Sequence, residues 1–289
     1  MSPGLAGRIL IAAGDWTASI LPAAGGAIGS LDWTGRPILS RPPAAAYPMI
    51  PYANRIARGR FRFGGVDHAL NVDGPAAPNS LHGIGWRRAW DVAKADARSC
   101  HLTLRHRPAG PKDPDWPFAF DADQWLTLDP EGLTVRLSVT NAGAAPAPAG
   151  LGFHPWFRRR LGETLTFRSE GVWLSGPDLL PTVRSPSEAA AFAAGRRVCG
   201  EMIDNDFFGW DGVAHLDAPE GPRLRLSADP VFSLLRLYTP GRGDAYAVEP
   251  VTHRADAIND PDLADGAMTV LAPGASLAGD IAIRLETSP

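Results

Sequence analysis

Apolar and polar residues alternate with a period of two along most of this 289-residue chain. That period marks strands with one face buried. The clearest case is QWLTLDPEGLTVRLSVTNAG. Leu126, Leu128, Leu133, Val135, Leu137 and Val139 take alternate positions on either side of Asp129-Pro130-Glu131-Gly132, which predicts a hairpin. RILIAA and WTASILP predict two extended runs near the start, and DWTGRPIL predicts a hairpin about Thr34-Gly35. Arg60 to Phe63 alternates strictly and stops at Gly64-Gly65, a strand followed by a turn. WDVAKAD, CHLTLRHR, LRLSA, FSLLRLYT and AYAVE continue the pattern. MTVLAPGASLAGDIAIRLE predicts two strands about a Pro-Gly turn. One segment reads as a helix: Ser187 to Arg197 has a serine start, an alanine-rich body and an arginine end. Pro42 to Pro51, rich in proline and alanine, reads as irregular.

These elements predict an all-β, predominantly antiparallel, sandwich-like fold. The 31 glycines and 28 prolines fit short strands and frequent turns. No shift of composition, repeat or low-complexity linker divides the chain, so residues 1–289 are expected to form one domain. A formal net charge of −3 gives no electrostatic footprint for nucleic acid or an anionic membrane. Cys100 and Cys199 do not make a disulfide framework, and both are expected to be free thiols in a reducing compartment. The apolar run Ile9 to Ala13 is too short for a signal-peptide core or a membrane span, so a cytoplasmic protein is expected.

Candidate chemistry centres on GLGFHPWF, residues 150–157. Pro155 pushes His154 toward an extended backbone, and Phe153, Trp156 and Phe157 surround it with aromatic surface. Such a histidine suits a site for a small polar ring such as a sugar, or is a core histidine satisfied by backbone. Arg55 precedes a strand and offers a fork of donors for ligand hydroxyls, or is a solvated surface group. In NSLHG, Gly83 lets backbone approach closely beside His82, a turn or a ligand-binding histidine. Asp204 and Asp206 lie against Phe207, Phe208 and Trp210. A carboxylate beside an aromatic face holds hexose hydroxyls, and a local Asx-turn is the plainer reading, for which Asp206 is the better candidate. Glu249 ends an apolar run, where desolvation would raise its basicity; the alternative is an edge-strand glutamate facing water.

Taken together, NRIARGRF, NSLHG, GFHPWF, the D-x-x-F of Asp204 to Phe207, VEPVTHRADAIN and LAPGASL resemble the aldose 1-epimerase (galactose mutarotase) family, in its order and across most of the chain. The resemblance implies a large antiparallel β-sandwich whose open face carries the sugar. It implies Glu249 as general base and His154 as general acid, with Arg55, His82 and Asp204 on substrate-binding positions. Trp156 stands where tyrosine is frequent and is taken as a further substrate contact. The chemistry is self-consistent: one carboxylate and one imidazole suffice to open and reclose a ring-form aldose, each worth about 10²–10⁴-fold. No redox step occurs, so neither cofactor nor metal is expected. The expected partner is a monosaccharide, and the expected assembly a monomer or homodimer. Arg87, Arg88, Arg158, Arg159 and Arg160 flank the histidine stretches. They face a phosphate or sulfonate on the substrate, or are solvated surface groups. A non-catalytic carbohydrate-binding protein would use the same sandwich. A metalloenzyme using His82, His154, Asp204 and Glu249 lacks any H-x-H or H-x-x-x-H spacing.

Overall fold

The computed structural model describes residues 7–40, 44–72, 74–198, 200–260 and 266–286. Two large antiparallel sheets dominate it. The nine-stranded sheet runs Asp91–Ala95, Ser99–His106, Phe120–Asp129, Gly132–Asn141, Ser276–Glu286, Arg223–Ala228, Val213–Asp217, Thr164–Phe167 and Arg196–Arg197. The eleven-stranded sheet runs Ile9–Ala13, Trp16–Leu21, Ala27–Trp33, Arg36–Leu39, Gly152–Arg158, Ala245–Val251, Leu234–Pro240, Met202–Phe208, Gly171–Ser175 and Pro181–Ser185. Its remaining strand, Ala46–Met49, pairs with both Gly152–Arg158 and Ala27–Trp33. Side chains from both sheets share one apolar core, among them Trp16, Ile20, Phe153, Leu235 and Val248 from one and Leu102, Leu126, Leu137 and Ile283 from the other. Each such fully buried side chain contributes roughly 1.5–3 kcal/mol relative to exposure.

The hairpins follow the sequence pattern. Phe120–Asp129 pairs with Gly132–Asn141 down to Asp129 opposite Gly132, and Asp129 Oδ1 caps the turn by accepting the Glu131 and Gly132 N–H groups at 2.8 and 3.0 Å. Thr34 and Gly35 turn with φ of 49° and 74° between Trp33 and Arg36. Arg60–Phe63 pairs with Val66–Ala69 about Gly64-Gly65. Two expectations need correction. The helix is shorter than Ser187–Arg197: it spans Pro186–Ala193, and Arg196–Arg197 joins the sheet edge opposite Thr164 and Leu165. Gly195, at φ 85°, ends the helical path. Within Pro42 to Pro51, Ala46–Met49 is a strand, not irregular chain, because its backbone pairs with Phe153, His154 and Pro155. Both strands about the Pro-Gly turn form as read: Thr269–Leu271 pairs with Ala147–Ala149, and Ser276–Glu286 enters the nine-stranded sheet. Cys100 is a buried free thiol; Cys199 lies outside the described residues. Among the described residues no helix is long and apolar enough to cross a membrane.

The fold matters for chemistry because four neighbouring strands of the larger sheet are covered on both faces. Along Ala245–Val251 every residue is buried. Tyr246 and Val248 point into the inter-sheet core, whereas Ala245, Ala247 and Val251 pack on the opposite side. Period two therefore places Glu249 on that opposite face. By the same alternation His154 and Trp156, Arg236 and Tyr238, and Asp204 and Asp206 share it, facing Asn54, Arg55 and the segment 75–87 across the cavity.

Candidate active site

The outer face of these strands floors a cavity of about 510 Å³, within the range typical of small-molecule sites. Its polar lining is Asn54, Arg55, His82, Arg87, His154, Asp204, Arg236 and Glu249, and its aromatic lining Tyr47, Trp86, Trp156 and Tyr238. All six residues singled out in the sequence, Glu249, His154, Arg55, His82, Asp204 and Trp156, line this one cavity.

Sheet register brings the two proton-transfer candidates together. Gly152 pairs with Val251 and Trp156 with Ala247, so His154 and Glu249 sit opposite each other between those pairs. His154 Nε2 lies 3.3 Å from Glu249 Oε1, with side-chain exposures of only 6% and 2%. The Glu249 Oε2 atom is buried and has no hydrogen-bond partner among the described residues. Burial pushes the Glu249 carboxyl from an ordinary 4.5 up to about 8; Arg236 opposes the rise, and Asp204 and Asp206 reinforce it. The alternative of an edge glutamate in water is thereby excluded. Tyr47 stacks on the His154 ring at 4.6 Å and Trp156 packs on it at 4.9 Å.

Arg236, directly across from Glu249 and from Asp206, is the hub of the floor. Its Nε donates to Asp204 Oδ1 at 3.0 Å, joined there by Nη2, and its Nη1 donates to Asp206 Oδ1 at 2.8 Å. Burial alone would lower the Arg236 pKa, but Asp204 and Asp206 outweigh it, and the guanidinium stays charged. The plainer alternative of an Asx-turn, for which Asp206 is the better candidate, does not hold. Asp206 sits in the strand Met202–Phe208, fully buried, and its second oxygen accepts the Ala255 N–H at 2.8 Å. For Asp204, burial is outweighed by Arg236 and Arg55, which together hold the carboxyl below its ordinary range. Arg55 Nη2 lies 2.9 Å from Asp204 Oδ2, and its Nη1 donates to Asn54 Oδ1 at 3.1 Å.

His82 is fixed by backbone. Asn54 and His82 both have φ of 59°, an uncommon left-handed conformation for non-glycine residues. They hold each other: His82 N–H donates to Asn54 O at 2.8 Å, and Asn54 N–H donates to His82 Nδ1 at 3.0 Å. With Nδ1 accepting, a neutral ring carries its proton on Nε2. Burial, then His154, Arg55, Arg236 and Arg87, press the His82 pKa well below its usual value. The close approach expected at Gly83 is real: a Cβ there would fall 2.4 Å from Ile50 O.

Of the five flanking arginines only Arg87 lines the cavity, with its guanidinium 5.5 Å from the Trp86 ring. Arg88 pairs with Asp115 on the surface; Arg158 is the last residue of the His154 strand, and Arg159 and Arg160 follow it. No group of three or more His, Cys, Asp and Glu side chains among the described residues has an arrangement that could hold a metal ion. Sequence reasoning missed Arg236, Tyr47, Trp86 and Tyr238. A lone arginine inside the apolar run LLRLY was the available signal for Arg236, since a charge there must be buried and paired.

Fold and site thus define an all-β protein with a carboxylate–imidazole pair at the floor of a polar, aromatic-lined cavity. The family model for aldose 1-epimerase matches residues 8–284, and the chain belongs to that family. It is 28% identical over 254 residues to YphB of Escherichia coli K12, a protein described as uncharacterized, covering 84% of each chain. A solved E. coli K12 structure provisionally described as an aldose 1-epimerase superposes with a TM-score of 0.86 at 25% identity, covering 96% of this chain and 98% of that one. A galactose mutarotase-like protein of Clostridium acetobutylicum superposes at 0.85 with 20% identity, covering 97% and 95%, and speaks to the fold.

Proposed function

We propose that this protein is an aldose 1-epimerase that interconverts the α and β anomers of a ring-form aldose. The observation that carries the reading is the 3.3 Å contact between His154 Nε2 and Glu249 Oε1 at the floor of the cavity. In the proposed cycle, ionised Glu249 takes the proton from the O1 hydroxyl. Protonated His154 gives one to the ring oxygen as the C1–O5 bond breaks and the C1 aldehyde forms. Rotation about C1–C2 presents the other carbonyl face, and closure reverses both transfers, returning each proton to its starting group. The raised Glu249 pKa supports a base strong enough to bind that proton near neutral pH. His82, as a neutral Nε2–H donor, and the Arg55–Asp204 pair hold sugar hydroxyls; Trp156 offers an apolar face to ring C–H groups.

The reading takes a free monosaccharide as partner and the cytoplasm as location, needs no nucleic acid, membrane, cofactor or metal, and suits a monomer or homodimer. Arg87 at the cavity favours a second version, in which the aldose bears a phosphate or sulfonate. The test is polarimetry of anomer relaxation over neutral, phosphorylated and sulfonated aldoses. Relaxation faster than the spontaneous rate for one class supports an epimerase and names its substrate. Saturable sugar binding with no acceleration on any member would point instead to a carbohydrate-binding protein.

A further inference from the structure

A second cavity, of about 360 Å³, opens at the other end of the two strands that carry His154 and Glu249. It is lined by Arg159, Arg160, Glu163, Arg197 and Asp244, with Leu161, Gly162, Val198 and Gly243. Arg159 is five residues from His154 and Asp244 five from Glu249, roughly 16 Å along extended chain. The Arg159 N–H donates to Asp244 O at 2.7 Å and ties the strands at this end. The cavity is therefore separate from the catalytic one, with which it shares no residue.

Its basic groups are not equivalent. Arg160 is fully committed: it donates to Glu163 and to Pro222 O, and to Leu216 O at 2.9 Å. Glu163 is likewise occupied, by Arg160 and the Tyr246 hydroxyl. Arg159 differs. Its Nε and Nη2 are buried and donate to no acceptor among the described residues. Leaving such donors unmade is costly, and a guanidinium fork matches the oxygens of a phosphate bidentately. Arg197 adds a second, exposed guanidinium. Asp244 is an exposed carboxylate that repels a bare anion but accepts from hydroxyl groups.

We propose that this cavity binds a small phosphorylated polyol, with Arg159 as the principal phosphate ligand, Arg197 as its partner and Asp244 taking a hydroxyl. Calorimetric titration of the intact protein with glycerol phosphate and, separately, with inorganic phosphate tests it. Glycerol phosphate should saturate one site and bind more tightly than inorganic phosphate. Arg159→Gln should weaken it by about tenfold or more, Arg197→Gln by less, and Glu249→Gln not at all. An unchanged thermal midpoint without ligand and unchanged anomer exchange in Arg159→Gln show that the variant is folded; Arg197→Gln, on the surface, repeats the test without touching buried structure. No saturable binding at millimolar ligand, equal affinity in both arginine variants, or competition by a saturating aldose would overturn the site. Tighter binding of inorganic phosphate than of its ester would overturn the polyol.

Discussion

Replacing Glu249 by glutamine should stabilise the fold at alkaline pH while removing the base. The carboxyl is buried at the cavity floor, and that burial lifts its pKa from 4.5 to about 8. With the folded value raised, the native state keeps a proton that the unfolded chain releases. The stability due to that proton is fully present below pH 4.5 and is lost as pH rises through 8. Each pH unit across the window is worth about 1.4 kcal/mol, so the full span costs the wild type about 5 kcal/mol, a large share of a typical stability. Glutamine is neutral throughout and escapes this loss. Urea unfolding of both proteins from about pH 5 to about pH 9 measures the difference. The two curves should diverge with pH, the variant becoming the more stable by several kcal/mol at the alkaline end. A stability difference independent of pH, or a wild type that gains on the variant as pH rises, would refute the reasoning: Glu249 would then ionise in the fold at no cost.

The same titration sets the acid limb of catalysis. Activity requires ionised Glu249, so kcat/KM should rise with pH to a limb near 8, not near 4.5, in a pH–rate profile corrected for the spontaneous reaction. Arg55→Ala and His82→Ala should each lower kcat/KM by about 10–100-fold with the fold intact, as for loss of a charged or preorganised hydrogen bond; an unchanged kcat/KM removes that residue from substrate binding. Arg236→Met should cost about 3–5 kcal/mol in denaturant unfolding, because Asp204 and Asp206 lose the cation that neutralises them in the interior; a loss below about 1 kcal/mol would contradict that role.

Period two carried most of the architecture. Leu126 to Val139 named a hairpin, the same alternation put Glu249 at the end of the run AYAVE, and Pro155 put His154 on extended chain. The residues around them were legible one by one, as chemistry-bearing side chains beside aromatics or glycine. What the chain could not disclose was which strands lie side by side. Arg236 looks like one more strand residue until Asp204, Asp206 and Glu249 are seen across from it, contacts that span 13 to 32 positions. The Asx-turn alternative for Asp206 fails for the same reason: local turn chemistry is visible in a sequence and a buried long-range ion pair is not. Tyr47 was hidden in a proline- and alanine-rich stretch whose strand exists only because Gly152–Arg158 supplies its hydrogen-bond partners. The alanine-rich segment after Ser185 continued the helical composition past Gly195, but Arg196 and Arg197 gained sheet pairing with Thr164 and Leu165 instead.

The most direct test is magnetisation exchange between the α and β anomeric protons of an accepted aldose, followed by NMR with catalytic amounts of wild-type and Glu249→Gln protein. The wild type should accelerate exchange well above the spontaneous rate, and the folded glutamine variant should lose about 10²–10⁴-fold of that acceleration. Acceleration surviving intact in Glu249→Gln would contradict the account, because no carboxylate would then stand opposite His154 to take the O1 proton.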